Sequence, residues 1–165
     1  MTENTRARDR EMKVYFAGAI TGDRIALKAM QELVRYLQEC GITVLTEHVA
    51  ADDPKAAQLK IYQKSGFTPE NVEKQDLEWL DQSTHVIAEV SGASTGTGRE
   101  IEYARMKGEM GKKRAKVLCL YQKAREKSVS FMILGMTPDR YPNVRVVSYS
   151  DVNDAIRTIR EFLAI

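Results

Sequence analysis

Two carboxylates stand where their surroundings would give them different chemistry. The segment Ser94-Thr95-Gly96-Thr97-Gly98-Arg99-Glu100 follows the apolar run Val86-Ile87-Ala88-Glu89-Val90 and precedes a helical pattern through Ile101 and Ala104. The order is strand, small-residue loop, helix. Glycines on either side of a threonine let the backbone approach a ligand closely, and the free N–H groups of the following helix form an anion site, which makes Ser94, Gly96 and Gly98 candidate substrate-binding residues. Glu100 is expected in the first turn, where the helix dipole stabilises a carboxylate by roughly 0.3–1 kcal/mol and so suits an ionised nucleophile or a sugar-binding group. Asp76 belongs to the stripe Val72, Asp76, Trp79, Leu80 of a helix opened by Thr68-Pro69-Glu70. It takes a place where the pattern asks for an apolar residue, and an aspartate turned inward beside a tryptophan has a raised pKa and can donate a proton at neutral pH. Taken singly, Glu100 could be only a first-turn charge and Asp76 only a cap or a salt-bridge partner. As a pair they match the rule that acid and base roles are separated by environment, and cleavage at a glycosidic centre uses such a pair.

The elements that position them alternate. Val14-Tyr15-Phe16-Ala17 is a β-rich run, and Gly18-Ala19-Ile20-Thr21-Gly22-Asp23 turns from it into a helix. This second small-residue loop has neither a Walker lysine nor the three-glycine dinucleotide pattern. Leu27, Met30, Val34 and Leu37 give residues 24–40 one apolar stripe ending before Gly41. Residues 42–45 return as a strand with Thr46-Glu47-His48 at its carboxyl end, where open parallel sheets bind ligands, so His48 is a site candidate. Residues 50–67 are polar and long enough for a lid, with a short helix about 56–63. Further strands are expected at 86–90, 117–121 and 145–147, the apolar run Phe131-Met132-Ile133-Leu134 is a core helix or a subunit contact, and Asp151 caps a last helix with Val152, Ile156, Ile159 and Leu163 inward.

Five alternations of strand and helix predict an α/β fold: an open five-stranded parallel sheet with helices on both faces, Rossmann or flavodoxin-like, in a single domain. Right-handed crossovers place the loops after Ala17, Leu45 and Val90 at one edge, so Tyr15, His48 and Glu100 can meet there with Asp76 nearby.

Composition narrows the classes. A chain of 165 residues with 43% hydrophobic content suits one domain, read as a disordered tail over 1–12 and a folded unit over 13–165. A net charge of +2 from 25 basic and 23 acidic residues gives no field for nucleic acid or a membrane surface. No apolar run approaches the ~20 residues of a membrane helix. Cys40 and Cys119 lack metal-ligand spacing and read as buried free thiols of a reducing compartment. A cytoplasmic location is expected, with nuclear entry through the basic turn 111–116 a further option.

The words Val14-Tyr15-Phe16-Ala17-Gly18, Leu45-Thr46-Glu47-His48-Val49-Ala50, Gln75-Asp76-Leu77-Glu78-Trp79-Leu80, Ala88-Glu89-Val90 and Ser94-x-Gly96-x-Gly98-x-Glu100, in that order, resemble the 2′-deoxynucleoside 5′-monophosphate N-hydrolases (the Rcl type) of the nucleoside 2-deoxyribosyltransferase superfamily, over residues 13–163. The resemblance implies cleavage of the bond between base and deoxyribose in a deoxynucleotide, giving free base and 2-deoxyribose 5-phosphate without metal or cofactor. It implies Glu100 as nucleophile, Asp76 as the acid for the departing base and Tyr15 as the group orienting Glu100. It also places Ser130 on the phosphate of a neighbouring subunit, which makes a homodimer the expected assembly, while Gly18 and Ile20 of the first loop join His48 as candidate substrate-binding residues. The family's first loop commonly reads Gly-Ser-Ile-Arg-Gly, whereas here Ala19 and Thr21 replace the hydroxyl and the guanidinium. Arg24 could supply a replacement charge. Two alternatives stay open: a deoxyribosyltransferase that passes the sugar to a second base, and a nucleotide-binding module without turnover.

Overall fold

The computed structural model describes residues 12–165. The expected tail therefore lies outside the described residues except for Met12, which is half-buried against the core. Five strands, β1 (Lys13–Ala17), β2 (Thr43–Val44), β3 (His85–Glu89), β4 (Lys116–Gln122) and β5 (Val144–Tyr149), form one all-parallel sheet in the order β2-β1-β3-β4-β5. The helices are α1 (Leu27–Glu39), α2 (Pro54–Ile61), α3 (Pro69–Gln82), α4 (Thr95–Met106), α5 (Phe131–Leu134) and α6 (Val152–Leu163), with 3₁₀ turns at Glu47–Ala50 and Lys123–Ser128. This is the doubly wound α/β architecture expected, with the flavodoxin-like strand order.

Period-two alternation divides each central strand between two cores. Val14, Phe16, Ile87, Leu118 and Leu120 pack with Leu33 and Leu37 of α1 and Ile159 of α6 on one face. Tyr15, Ala17, Val86, Ala88, Val117 and Cys119 pack with Leu80 of α3 and Ile101 and Ala104 of α4 on the other. Tyr15 is thereby committed to the face that carries both carboxylate-bearing helices.

Local signals hold at the helix ends. Thr68 caps α3 by accepting from the Asn71 N–H at 3.2 Å, and Asp151 caps α6 by accepting from the Asp154 N–H at 2.9 Å. Gly41 ends α1 with φ +75°, a conformation that favours glycine. At the far end of α3 the fully buried Lys107 ammonium donates to the carbonyls of Leu80, at 2.5 Å, and Ser83, at 2.7 Å, satisfying acceptors the helix leaves open.

Several expectations need correction. Cys119 is buried, but Cys40, just past the end of α1, is exposed. The short helix of the 50–67 segment is Pro54–Ile61, begun by Asp53 accepting from the Ala56 N–H, so it starts and ends two residues before the expected span. Phe131 and Met132 are among the most exposed apolar side chains described, so α5 joins the core only through the half-buried Ile133 and Leu134.

Candidate active site

The strand order reverses between β1 and β3, and a crevice opens at their carboxyl ends. It holds a cavity of about 700 Å³. One wall comes from the loop after β1, with Gly18, Ile20, Thr21 and Gly22, and from the start of α4, with Ala93 to Thr97 and Glu100. The other comes from α2 and α3, with Gln58, Phe67, Thr68, Pro69, Val72, Glu73 and Asp76.

The first wall is made of two loops in backbone contact. The Asp23 N–H donates to the Ala93 carbonyl at 3.2 Å, and a Cβ on Gly92 would overlap the Asp23 carbonyl while one on Gly22 would overlap that of Ala93. Only glycine permits that approach. Glu89, buried at the end of β3, supports the loop from beneath by accepting from the Ser91 hydroxyl at 2.5 Å and the Tyr149 hydroxyl at 3.0 Å. A glutamate closing an otherwise apolar central strand was a visible signal in the sequence, and its supporting role is a structural finding.

Ser94 is the N-cap of α4, its hydroxyl accepting from the Thr97 N–H at 3.3 Å and the Thr97 hydroxyl at 3.0 Å. The helix begins at Thr95, so Gly96 and Gly98 lie within it rather than in a loop, and Glu100 stands in the second turn rather than the first. The dipole falls off within the first turn, so it does little for Glu100. The carboxylate is held instead by the Tyr15 hydroxyl, which donates to Glu100 Oε1 at 2.8 Å. Burial pushes the Glu100 pKa above the ordinary range, while that hydrogen bond and the Arg99 charge pull it back. Tyr15 is almost fully buried and, with Glu100 and Asp76 nearby, is pushed far up, so it remains a donor at any working pH.

Asp76 projects from α3 into the same cavity. Its pKa is raised to about 7 by burial, then by the charges of Glu100 and Glu73. The expected upward shift is present, but the neighbouring carboxylates, not Trp79, join burial as its cause. Trp79 turns instead to His48, with ring centroids 5.7 Å apart. Asp76 makes no side-chain hydrogen bond among the described residues, which leaves a proton on it free for a ligand.

The structure brings Tyr15, Gly18, Ile20, Asp76, Ser94, Gly96 and Glu100 to one place. Tyr15 reaches it from beneath through Glu100. Four candidates, His48, Arg24, Gly98 and Ser130, stand elsewhere. His48 does not line the cavity; it is buried in the Glu47–Ala50 turn, where burial lowers its pKa to about 4 and keeps it neutral. Arg24 is not free to meet a phosphate, because its guanidinium donates to the carbonyls of Ala19 at 3.1 Å and of Val49 and Ala51 at 2.9 Å each. It ties the loop after β1 to the segment after β2. Ser130 caps α5 and, with Gly98, lines a neighbouring cavity of about 600 Å³ on the other side of the α4 N-terminus. Gln58, Phe67 and Glu73 line the site without having been singled out, the first two because the polar pattern of 50–67 carried no sign of which face turned inward. Among the described residues no group of three or more His, Cys, Asp and Glu side chains is placed to hold a metal ion.

Residues 14–144 match the model of the family described as nucleoside 2-deoxyribosyltransferase. The chain belongs to that family. Among its relatives, a Thermofilum pendens protein named as a 2′-deoxynucleoside 5′-phosphate N-hydrolase is 38% identical over 152 residues, covering 92% of this chain and 95% of that one. The 5-hydroxymethyl-dUMP N-hydrolase of Esox lucius is 36% identical over 125 residues, covering 75% of this chain and 79% of that one. The solved structure of the Clostridium botulinum CMP N-glycosidase BcmB superposes with a TM-score of 0.61 at 19% identity, over 91% of this chain and 98% of that chain, and shares the fold. Within the nucleoside 2-deoxyribosyltransferase family, this chain therefore stands beside proteins named as N-hydrolases, as the sequence words implied.

Proposed function

We propose that this protein hydrolyses the N-glycosidic bond of 2′-deoxynucleoside 5′-monophosphates to free base and 2-deoxyribose 5-phosphate. The observation that carries the reading is the pairing of a Tyr15-held Glu100 with an unpartnered Asp76, of pKa about 7, facing the same cavity. Glu100 Oε attacks C1′ as the bond to the base breaks, and Asp76 gives its proton to the departing base. The sugar is then held as an ester of Glu100. Asp76, now a carboxylate, takes a proton from water, whose oxygen attacks C1′ and frees Glu100. Because two adjacent carboxylates do not both ionise readily, the pair holds one negative charge near neutrality, with the proton on Asp76.

The phosphate is received by the free N–H groups at the start of α4, with Ser94 at its cap. No cation of the first loop assists, since Arg24 is engaged. The preference for a monophosphate over its nucleoside is accordingly narrower here than in relatives with an arginine in that loop. Assembly as a homodimer completes the site, with Ser130 of a second copy added at the phosphate. Phe131 and Met132, beside Ser130 and 84% and 83% exposed, support this reading as the apolar surface that the second copy covers.

The test is chromatography of a panel of deoxynucleoside monophosphates incubated with the protein, with and without a second free base. Release of base and 2-deoxyribose 5-phosphate is expected in both cases, with kcat/KM falling as pH rises through about 7, where Asp76 loses its proton. Formation of a new deoxynucleotide when the second base is present would identify a transferase instead.

A further inference from the structure

The wall opposite Glu100 carries polar groups that the hydrolysis does not use. The Tyr62 hydroxyl is one of two buried side-chain polar atoms without a hydrogen-bond partner among the described residues, and Tyr62 is only 3% exposed. A hydroxyl removed from water with nothing in exchange is costly, and native proteins keep such groups for a reason. Gln58 lies one turn earlier on the same face of α2, and the Tyr62 N–H donates to the Gln58 carbonyl at 2.9 Å. Gln58 is also buried, it lines the cavity, and its carboxamide makes no hydrogen bond among the described residues. Phe67, another lining residue, stacks on the Tyr62 ring with centroids 5.8 Å apart and planes 21° from parallel. Asp76 is close enough that its charge joins burial in pushing the Tyr62 pKa up to about 12. An unpaired carboxamide and an aromatic ring thus line the same cavity as the acid that would protonate a leaving group, with an unpaired hydroxyl buried behind them.

We propose that Gln58 and Phe67 form the nucleobase subsite, the carboxamide pairing with the polar edge of the base and Phe67, backed by the Tyr62 ring, covering its face. This rests on the hydrolase reading for the identity of the ligand. A carboxamide offers donor and acceptor side by side and can turn over to match either order, so it accepts amino and oxo bases alike. It rejects an aglycone with no polar edge, because the buried groups then stay unpaired.

Calorimetric titration in a Glu100→Gln background separates recognition from turnover. The ligands are the four common deoxynucleoside monophosphates and 2-deoxyribose 5-phosphate, which has the sugar and phosphate but no base. Gln58→Leu is expected to weaken the nucleotides by about tenfold, and Phe67→Ala by about threefold to tenfold, with 2-deoxyribose 5-phosphate bound as before. Equal weakening of all ligands would mean a structural role and overturn the proposal, as would no change in any of them. A wild-type protein that cleaves no deoxynucleotide, together with base-dependent losses in the variants, would refute the hydrolase reading and support the subsite.

Discussion

The two walls of the cavity are built differently. The β1–α4 wall is fixed by backbone against backbone, Asp23 on Gly92 and Gly22 on Ala93, and its reacting group is tied to the central sheet through Tyr15. The α2–α3 wall presents Gln58 and Asp76, whose side chains have no hydrogen-bond partners among the described residues, with the unpartnered Tyr62 hydroxyl buried behind it. A nucleophile has to meet one carbon in one geometry and gains from rigidity. A proton donor and a base-reading surface have to stay free for the ligand, and their unmet hydrogen bonds are the sign of that role.

Breaking the first wall at its reacting atom has the largest effect. Glu100→Gln retains the fold but lowers kcat/KM by about 10³-fold or more, because an amide neither attacks C1′ nor balances its developing positive charge. Steady-state release of base from a deoxynucleotide checks this, and retention of more than a tenth of the activity would remove Glu100 from its role.

Loosening the same wall gives a smaller and more diagnostic change. Tyr15→Phe deletes a donor that favours ionised Glu100, so the Glu100 pKa rises further and less of it is ionised at a given pH. The rate falls by about tenfold, and the acidic limb of the pH profile moves to higher pH while the alkaline limb, set by Asp76, stays near 7. An acidic limb that does not move would mean that the hydrogen bond only packs the ring.

The first wall was the more legible in the sequence, for physical reasons. Strand, small-residue loop and helix start are local patterns, and the parallel order brings the loops after β1 and β3 together wherever such a sheet forms. What escaped was register. Ser94 begins α4 early enough to carry Glu100 into the second turn, because helical Gly96 and Gly98 look like loop residues in a string of letters. Asp76 could be read on the second wall as a break in an apolar stripe. Gln58 and Tyr62 could not, since α2 is short and its alternation of polar and apolar residues defines no inward face. Arg24 and His48 were misplaced by a different limitation. Their partners, carbonyls at 49–51 and the ring of Trp79, are remote in sequence, and a charge or an imidazole near a site cannot be told from one spent on structure until those partners are visible.

Arg24 gives the smallest expected effect and separates a phosphate ligand from a structural clamp. With its guanidinium spent on carbonyls, Arg24→Ala should lower the melting temperature by a few degrees and raise KM by about threefold for a deoxynucleoside and its monophosphate alike. Thermal unfolding and paired kinetics check this. An increase confined to the monophosphate would return Arg24 to the phosphate site.

The division of labour between the two walls is tested most directly by the first turnover of Asp76→Asn with p-nitrophenyl 2-deoxyribose 5-phosphate. This leaving group needs no proton, so Glu100 can still attack, but the asparagine cannot take a proton from water in the second step. The account predicts a burst of one p-nitrophenol per site and a sugar phosphate ester that mass spectrometry of the acid-quenched, digested protein maps to the peptide containing Glu100. The absence of both burst and adduct, or an adduct on another residue, would contradict it.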